Sequence, residues 1–396
     1  MFCIGNGYYI VVGGGIAGSV VSSRLLEQNP SSKILLIEAG PDVSNRTDIV
    51  YINSTNLIMG DFDYNYQTVP QANLGNRQIA NPSGRALGGG FVINSGGWTR
   101  GSSLDYDLWA DTVGDQGWSY SGQLPYFRKS EDHCDSKHPD QHGHGGPIHV
   151  ASVTCTGRNY PLRDKVLDSW HEAGVDSLPD LDGNAGRILG VGELYENRRD
   201  GKRQIASSAY SLEGVTVLTE TLMESITLTK GDDGSTQATG LRLANGTEYR
   251  AKRVVASAGA YRTPQLLLLS GIGPSETLAQ RGIEKKVDLP DVGQNLADHV
   301  VLINLWRLKD PSHGYALGSG NPLFDEPQFG LGNANDFVTK GEAAHNPVTH
   351  SSPKSDDQVA DMENFITYVP APSTDPAVPV DDTHISTSLA SLCSPS

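Results

Sequence analysis

The sequence predicts an α/β chain built on a Rossmann-type dinucleotide-binding unit, and three observations near the N-terminus carry that prediction. An apolar run, Tyr8-Tyr9-Ile10-Val11-Val12, leads directly into Gly13-Gly14-Gly15-Ile16-Ala17-Gly18, and Glu38 follows Gly18 at a distance of twenty. A buried strand, a glycine-tight turn, a helix and an acid in register are the parts of a nucleotide-binding β-α-β unit. Gly13 permits the sharp turn, Gly15 lets backbone approach a pyrophosphate, and Gly18 lets the helix pack on the strand. The helix N-terminus offers unpaired N–H groups and partial positive charge to phosphates. Glu38 ends a second apolar strand, Lys33-Ile34-Leu35-Leu36-Ile37, where its carboxylate meets a ribose hydroxyl.

The elements follow in order. The first helix, from Ile16, is expected to turn Ile16, Val20, Val21 and Leu25 toward the sheet and to stop by Asn29, ahead of Pro30. Residues 41–130 read as turn-rich, with Trp98, Trp109, Trp118 and Tyr126 as packing anchors, and 131–147 as a polar surface loop or crossover. Short strands begin at Val215. Ser225–Thr229 and Gly240–Leu243 flank a turn at Asp232-Asp233-Gly234, and Asn245-Gly246 marks a hairpin, because both residues tolerate positive φ. Arg253–Ser257 reads as a buried strand returning to the parallel sheet, followed by a corner at Ala258-Gly259-Ala260. The Leu266–Leu269 helix closes at Ser270-Gly271. Beyond His299 periodicity fades.

Length and composition narrow the function. A chain of 396 residues implies two domains. A nucleotide unit whose sheet is completed two hundred residues later implies that the first is discontinuous. A net charge of −16 argues against a nucleic-acid partner. The longest apolar stretch falls far short of a membrane span. No secretory signal is visible, which leaves localisation open between a cytoplasmic default and secretion from a longer N-terminus. Asn45, Asn53 and Asn245 head glycosylation triplets that matter only in a secreted chain. Cys134 and Cys155 are positioned to pair in an oxidising compartment, with free thiols the favoured reading. His133, Cys134, His138, His142 and His144 match no zinc spacing, so no metal is expected. No G-x-S-x-G elbow supports a serine hydrolase.

Three further segments point to a family. Gly84–Gly101, with Gly88-Gly89-Gly90-Phe91-Val92-Ile93-Asn94-Ser95-Gly96-Gly97-Trp98, resembles the first signature of the glucose–methanol–choline (GMC) flavin oxidoreductases. Gly259–Gln265 through Ser270–Pro274 resembles the second, and Asp288–His299 the stretch after it. The resemblance runs almost continuously from Tyr8 to His299. It implies a glutathione-reductase-like, Rossmann-type FAD-binding domain over residues 1–150 and 201–300. It also implies an incomplete α+β substrate-binding domain over 151–200 and 301–396. FAD, not NAD, is then the dinucleotide. By position, Gly13, Gly15, Ile16, Ala17 and Gly18 would hold the diphosphate, and Glu38 and Ala39 the adenosine ribose. Gly88, Gly90, Asn94, Ser95 and Gly97 would line the isoalloxazine and ribityl side, and Met223 would present backbone to the adenine. The flat backbone of Gly88-Gly89-Gly90 agrees, since a planar ring can approach it closely.

The chain departs from the family pattern in three places. Phe91 stands where many members carry a serine or threonine. Ile93 stands where choline-oxidising members carry a histidine bonded to flavin, so non-covalent FAD is expected. The family's proton-accepting histidine lies in a C-terminal segment that this sequence does not reach, so no catalytic base is named. His299, His313, His345, His350 and His384 read as surface or loop residues, His299 ranking first. The resemblance implies hydride transfer from the CH–OH group of a small-molecule alcohol to flavin. A C-terminally truncated chain is expected to turn over weakly or not at all. The alternative is a non-catalytic flavin-binding remnant or partner subunit, with an oligomer or a complementing C-terminal segment left open.

Overall fold

Alternation along two adjacent strands organises the first half of the molecule. In Tyr8–Val12 and Lys33–Ile37, Ile10, Val12, Leu35 and Ile37 pack on one face with Ile226, Leu241, Leu243 and Leu266. Val11, Ile34 and Leu36 pack on the other with Leu87. A strand buried on both faces is the mark of a parallel sheet covered on each side. Each fully buried Ile, Leu or Val contributes about 1.5–3 kcal/mol, so these few positions dominate the stability of the unit.

The computed structural model describes residues 8–51, 57–135, 137–299, 301–341, 362–368 and 384–391. It divides into two compact units, Met1–Ser95 with Arg203–Leu296, and Gly96–Lys202 with Ala297–Ser396. In the first, four parallel strands run in the order Thr216–Leu218, Lys33–Ile37, Tyr8–Val12, Arg253–Ala256. A three-stranded antiparallel sheet, Met223–Lys230, Thr236–Leu243 and Glu248–Arg250, packs its buried residues into the same core. In the second, five antiparallel strands run in the order Val301–Arg307, His384–Ser391, Met362–Thr367, Asn335–Gly341, Gly190–Glu193.

Several expectations are corrected. The first helix, Ile16–Gln28, buries Gly18, Ser19 and Ser22 most deeply; of the expected residues Leu25 packs partly buried against the sheet, Val20 and Val21 are half-buried and Ile16 is exposed. Small residues face the sheet because helix and strand nearly touch: a Cβ on Gly18 would lie 2.0 Å from the Gly13 carbonyl oxygen. Residues 41–130 contain two eleven-residue helices, Ser103–Val113 and Tyr120–Ser130. The first starts at a reciprocal cap in which Ser102 accepts from Leu104 N–H and Asp105 accepts from Ser102 N–H. Trp109, Trp118 and Tyr126 are exposed, not anchors. Arg253–Ala256 is a half-covered edge strand. Residues 96–150 belong to the second compact unit. There Glu131–His133 and Ile148–Ser152 pair with each other, and the latter with Tyr195–Glu196. Among the described residues four strands lie beyond His299, where the sequence showed no periodicity.

The 131–147 segment is not a solvated loop. Glu131 and His142 are each about 1% exposed, and Arg100 pairs with Glu131. His142 Nδ1 faces Glu131 at 3.0 Å and its Nε2 faces Asp182 at 2.8 Å. Burial opposes charge on His142, but hydrogen bonds to Asp182 and Glu131 outweigh it and raise its pKa. Burial likewise pushes Glu131 and Asp182 up, and the His142 contact overrides it, holding both below the ordinary carboxylate range. Cys134 and Cys155 form a disulfide, with Cα atoms 6.2 Å apart, which corrects the free-thiol reading. They pair because Cys134 N–H donates to the Val150 carbonyl at 2.9 Å, placing the first cysteine beside the strand that leads to the second. Among the described residues no cluster of three or more His, Cys, Asp or Glu is arranged to hold a metal. Residues His345 and His350, Cys3 and Cys393, Asn53 and the proline-rich 370–382 run lie outside the described residues.

Candidate functional site

A cavity of about 500 Å³ opens in the first unit where the strand Tyr8–Val12 gives way to its glycine turn. Gly13 adopts φ +95°, and a Cβ there would lie 2.5 Å from the Ser257 carbonyl oxygen. Only glycine makes this turn without moving backbone. Ser257, at the end of the neighbouring strand, donates from its hydroxyl to the carbonyls of Val12 (2.9 Å) and Gly13 (3.0 Å), pinning the turn. Gly15 caps the helix Ile16–Gln28 with no side chain over its N-terminus. The first-turn N–H groups and the positive end of the helix dipole therefore face the cavity beside Gly15, Ile16 and Ala17.

Glu38 forms the next part of the wall. It is 7% exposed; Oε2 accepts from Gly14 N–H and Oε1 from Gly40 N–H, both at 2.8 Å. Burial pushes its pKa up, against the pull of those N–H donors from Gly40 and Gly14. A carboxylate has about four acceptor sites, so the backbone contacts leave acceptor capacity for a ligand hydroxyl. The backbone contacts fix its orientation before any ligand arrives.

Of the residues the sequence nominated, Gly13, Gly15, Ile16, Ala17, Glu38, Ala39, Gly90 and Met223 lie together on the cavity wall. Gly18 sits behind the turn, against the strand. Gly88 is buried at φ +107° and donates its N–H to the Gly14 carbonyl at 2.8 Å, which holds the 84–90 segment against the glycine turn. Asn94 ends the short helix Gly90–Ile93 and accepts from Arg203 through both its carbonyl and Oδ1. Ser95 is exposed. Gly97 belongs to the second unit, where it bridges to Glu196. His299 and His313 are exposed, and among the described residues no histidine lines the cavity.

Sequence reasoning missed part of the wall. Tyr64, Ser257, Arg262, Gln265, Leu266 and Leu269 also line it. Positions 262, 265, 266 and 269 are one face of the helix Gly259–Leu269, so i, i+3, i+4, i+7 spacing behind a glycine corner was a usable signal.

The residues fit a dinucleotide. A Cβ on Gly15 would come no closer than 3.8 Å to protein, and one on Gly90 no closer than 4.0 Å. Neither glycine is required by the protein's own packing, and both line the cavity. The wall thus leaves room for a ligand against bare backbone, next to a helix N-terminus suited to phosphates and an oriented carboxylate suited to ribose.

Comparison with known proteins agrees with this geometry. The GMC oxidoreductase profile matches residues 8–301. The GMC-type oxidoreductase acuG of Aspergillus aculeatus is 38% identical over 97% of this chain, which spans 71% of that protein. An oxygen-dependent choline dehydrogenase of Staphylococcus xylosus is 34% identical over 76% of this chain and 54% of its own length. The chain thus spans about half the length of this second relative. Among solved structures, pyridoxine 4-oxidase from Mesorbium loti superposes with a TM-score of 0.81 at 27% identity, covering 98% of this chain and 71% of that one. With the profile matched through both glycine-bearing segments and the cavity they build, this chain belongs to the GMC oxidoreductase family.

Proposed function

We propose that these residues form the FAD-binding part of an oxidoreductase that removes a hydride from the CH–OH carbon of a small-molecule alcohol. One observation carries the reading: the cavity joins a bare glycine turn, a helix N-terminus and an oriented buried carboxylate within one compact unit. The cofactor of this family is FAD, which when bound supplies the hydride acceptor. The remaining chemistry belongs to the chain. The first turn of Ile16–Gln28 binds the diphosphate, Glu38 and Ala39 orient the adenosine ribose, and the backbone at Met223 meets the adenine. The Gly88–Gly90 backbone meets the flavin side. Gly18 acts indirectly, by letting the helix sit where its N-terminus reaches the phosphates.

Family membership and the names of two similar proteins support the substrate class: choline and pyridoxine are both alcohols. Ile93, partly buried against Val92 and Ile205, offers no nucleophile to the flavin ring, which supports non-covalent binding. The test is direct. Purified chain should take up one FAD in preference to NAD, and a panel of alcohols added without oxygen should bleach the flavin absorbance weakly or not at all, since no histidine among the described residues lines the cavity to take the hydroxyl proton. Failure to bind FAD refutes the whole reading. Rapid bleaching by an alcohol refutes the weak-turnover expectation and leaves both flavin binding and the alcohol-oxidising reading standing.

A further inference from the structure

Arg262 stands on the first turn of the helix Gly259–Leu269 and lines the cavity with Tyr64. Its guanidinium carbon lies 4.3 Å from the centre of the Tyr64 ring and 5.8 Å from that of Tyr66. Nε donates to the Tyr66 hydroxyl at 2.6 Å, and Nη1 donates to Oε1 of Gln265 at 3.3 Å. The two tyrosines stack with centroids 5.2 Å apart and planes 5° from parallel. Tyr261 meets Tyr66 edge-on at 5.5 Å.

Every one of these partners is neutral. Among the described residues no carboxylate pairs with Arg262, in a chain with 46 acidic side chains against 30 lysines and arginines. A guanidinium has five donors in a rigid fork, and two of them are used here. A half-buried cation without a counter-charge is costly unless a ligand supplies an anion or an electron-rich face. The ring stack and the Tyr66 hydrogen bond fix the fork in advance, which lowers the entropy lost on binding. The same cavity presents the helix N-terminus for phosphate and Glu38 for hydroxyls. Cation, phosphate site and hydroxyl acceptor together match an adenosine diphosphate.

We infer that Arg262, braced by Tyr64 and Tyr66, is a binding residue for the ADP half of the dinucleotide. The inference rests on the FAD reading above. A purely structural arginine would instead tie the tyrosine pair to the helix and leave ligand selectivity untouched.

The experiment uses the full chain stripped of flavin, as wild type, Arg262→Gln and Arg262→Lys. Affinities for FAD, ADP and FMN are measured by titration, alongside apoprotein melting. Arg262→Gln should weaken FAD and ADP about tenfold, with FMN affinity moving less than twofold. Arg262→Lys should recover only part of the loss, because an ammonium lacks the planar fork. Unchanged FAD and ADP affinity in Arg262→Gln overturns the inference, and so does an equal loss for FMN. A wild-type chain that binds neither FAD nor ADP overturns the reading beneath it.

Discussion

Two glycines of the first turn should fail in opposite ways when each gains a methyl group. At Gly15, φ is −74°, which alanine adopts freely, and the nearest protein atom to a new Cβ is Gly89 Cα at 3.8 Å. The protein therefore loses little: alanine is a poorer helix cap than glycine by up to about 1 kcal/mol. The methyl projects instead into the space where the diphosphate approaches backbone. Displacing the ligand by a fraction of an ångström resembles overpacking a filled site, about 1–3 kcal/mol, or roughly 5- to 150-fold in FAD affinity. At Gly18 a Cβ would lie 2.0 Å from the Gly13 carbonyl oxygen and 2.9 Å from Ser257 Oγ. The first obstacle is backbone and cannot swing aside, so helix and strand must separate. Overpacking of about 1–3 kcal/mol exceeds the gain of about 1 kcal/mol from replacing glycine inside a helix. Apoprotein melting and FAD titration on Gly15→Ala and Gly18→Ala distinguish the two. Gly15→Ala should melt near wild type and bind FAD poorly; Gly18→Ala should melt early. If Gly15→Ala binds FAD with wild-type affinity, the claim that its bare backbone serves the ligand is wrong.

Three more outcomes follow from the buried charges, the disulfide and Ile93. The raised pKa of His142 contributes stability fully present below its ordinary value of 6.5 and lost as pH climbs through the raised one. The lowered pKa values of Glu131 and Asp182 contribute stability present above 4.5 and 3.8 and lost as pH falls through the folded ones. Melting temperature should thus peak between these limits, and His142→Gln should cost about 3–5 kcal/mol by leaving buried carboxylates short of a counter-charge. An alkaline limb that persists unaltered in this variant would contradict the assignment. Peptide mapping without reductant should recover Cys134 joined to Cys155, and Cys134→Ser with Cys155→Ser should lower stability by about 3 kcal/mol; alkylation of both thiols in the native protein would disprove the bond. Acid precipitation of the holoprotein should leave all flavin in the supernatant, since Ile93 offers no attachment point, and flavin retained in the pellet would refute this.

The parallel sheet was legible because its signals are local and strong: two five-residue apolar strands, a glycine turn between them and an acid at a fixed distance. Its completion by Arg253–Ala256 was legible from order along the chain, although the exposure of that edge strand was not. The second unit was hidden for a physical reason. Its five-stranded sheet draws on 190–193 and on segments scattered between 301 and 391, and pairing at that separation leaves no trace in any short window. The charged cluster misled in the same way. Glu131 and His142 read as part of a polar surface loop, and only their meeting with Asp182 in space makes them a buried network.

The glycines show two causes for one residue type, and the geometry tells them apart by what a Cβ would meet. Gly13, Gly18 and Gly88 are glycine because protein atoms crowd them: a Cβ would meet neighbouring backbone at 2.5 Å and 2.0 Å, and Ile205 Cγ2 at 2.1 Å. Gly15 and Gly90 have open space in front of them and line the cavity. In sequence the motif spacing already gives Gly13, Gly15 and Gly18 separate roles, whereas Gly88 and Gly90 read alike. In the fold, Gly13, Gly18 and Gly88 set where the helix and the 84–90 segment lie, and Gly15 and Gly90 keep backbone bare on the cavity wall, where the proposed cofactor would approach. A glycine that its own protein does not need, on the wall of a cavity, is direct structural evidence for a ligand. The same reasoning reaches Arg262, a charge that the protein orients and does not neutralise. Function is then read from what the fold leaves unsatisfied: bare backbone at Gly15, the remaining acceptor capacity of Glu38, and a cation braced by tyrosines.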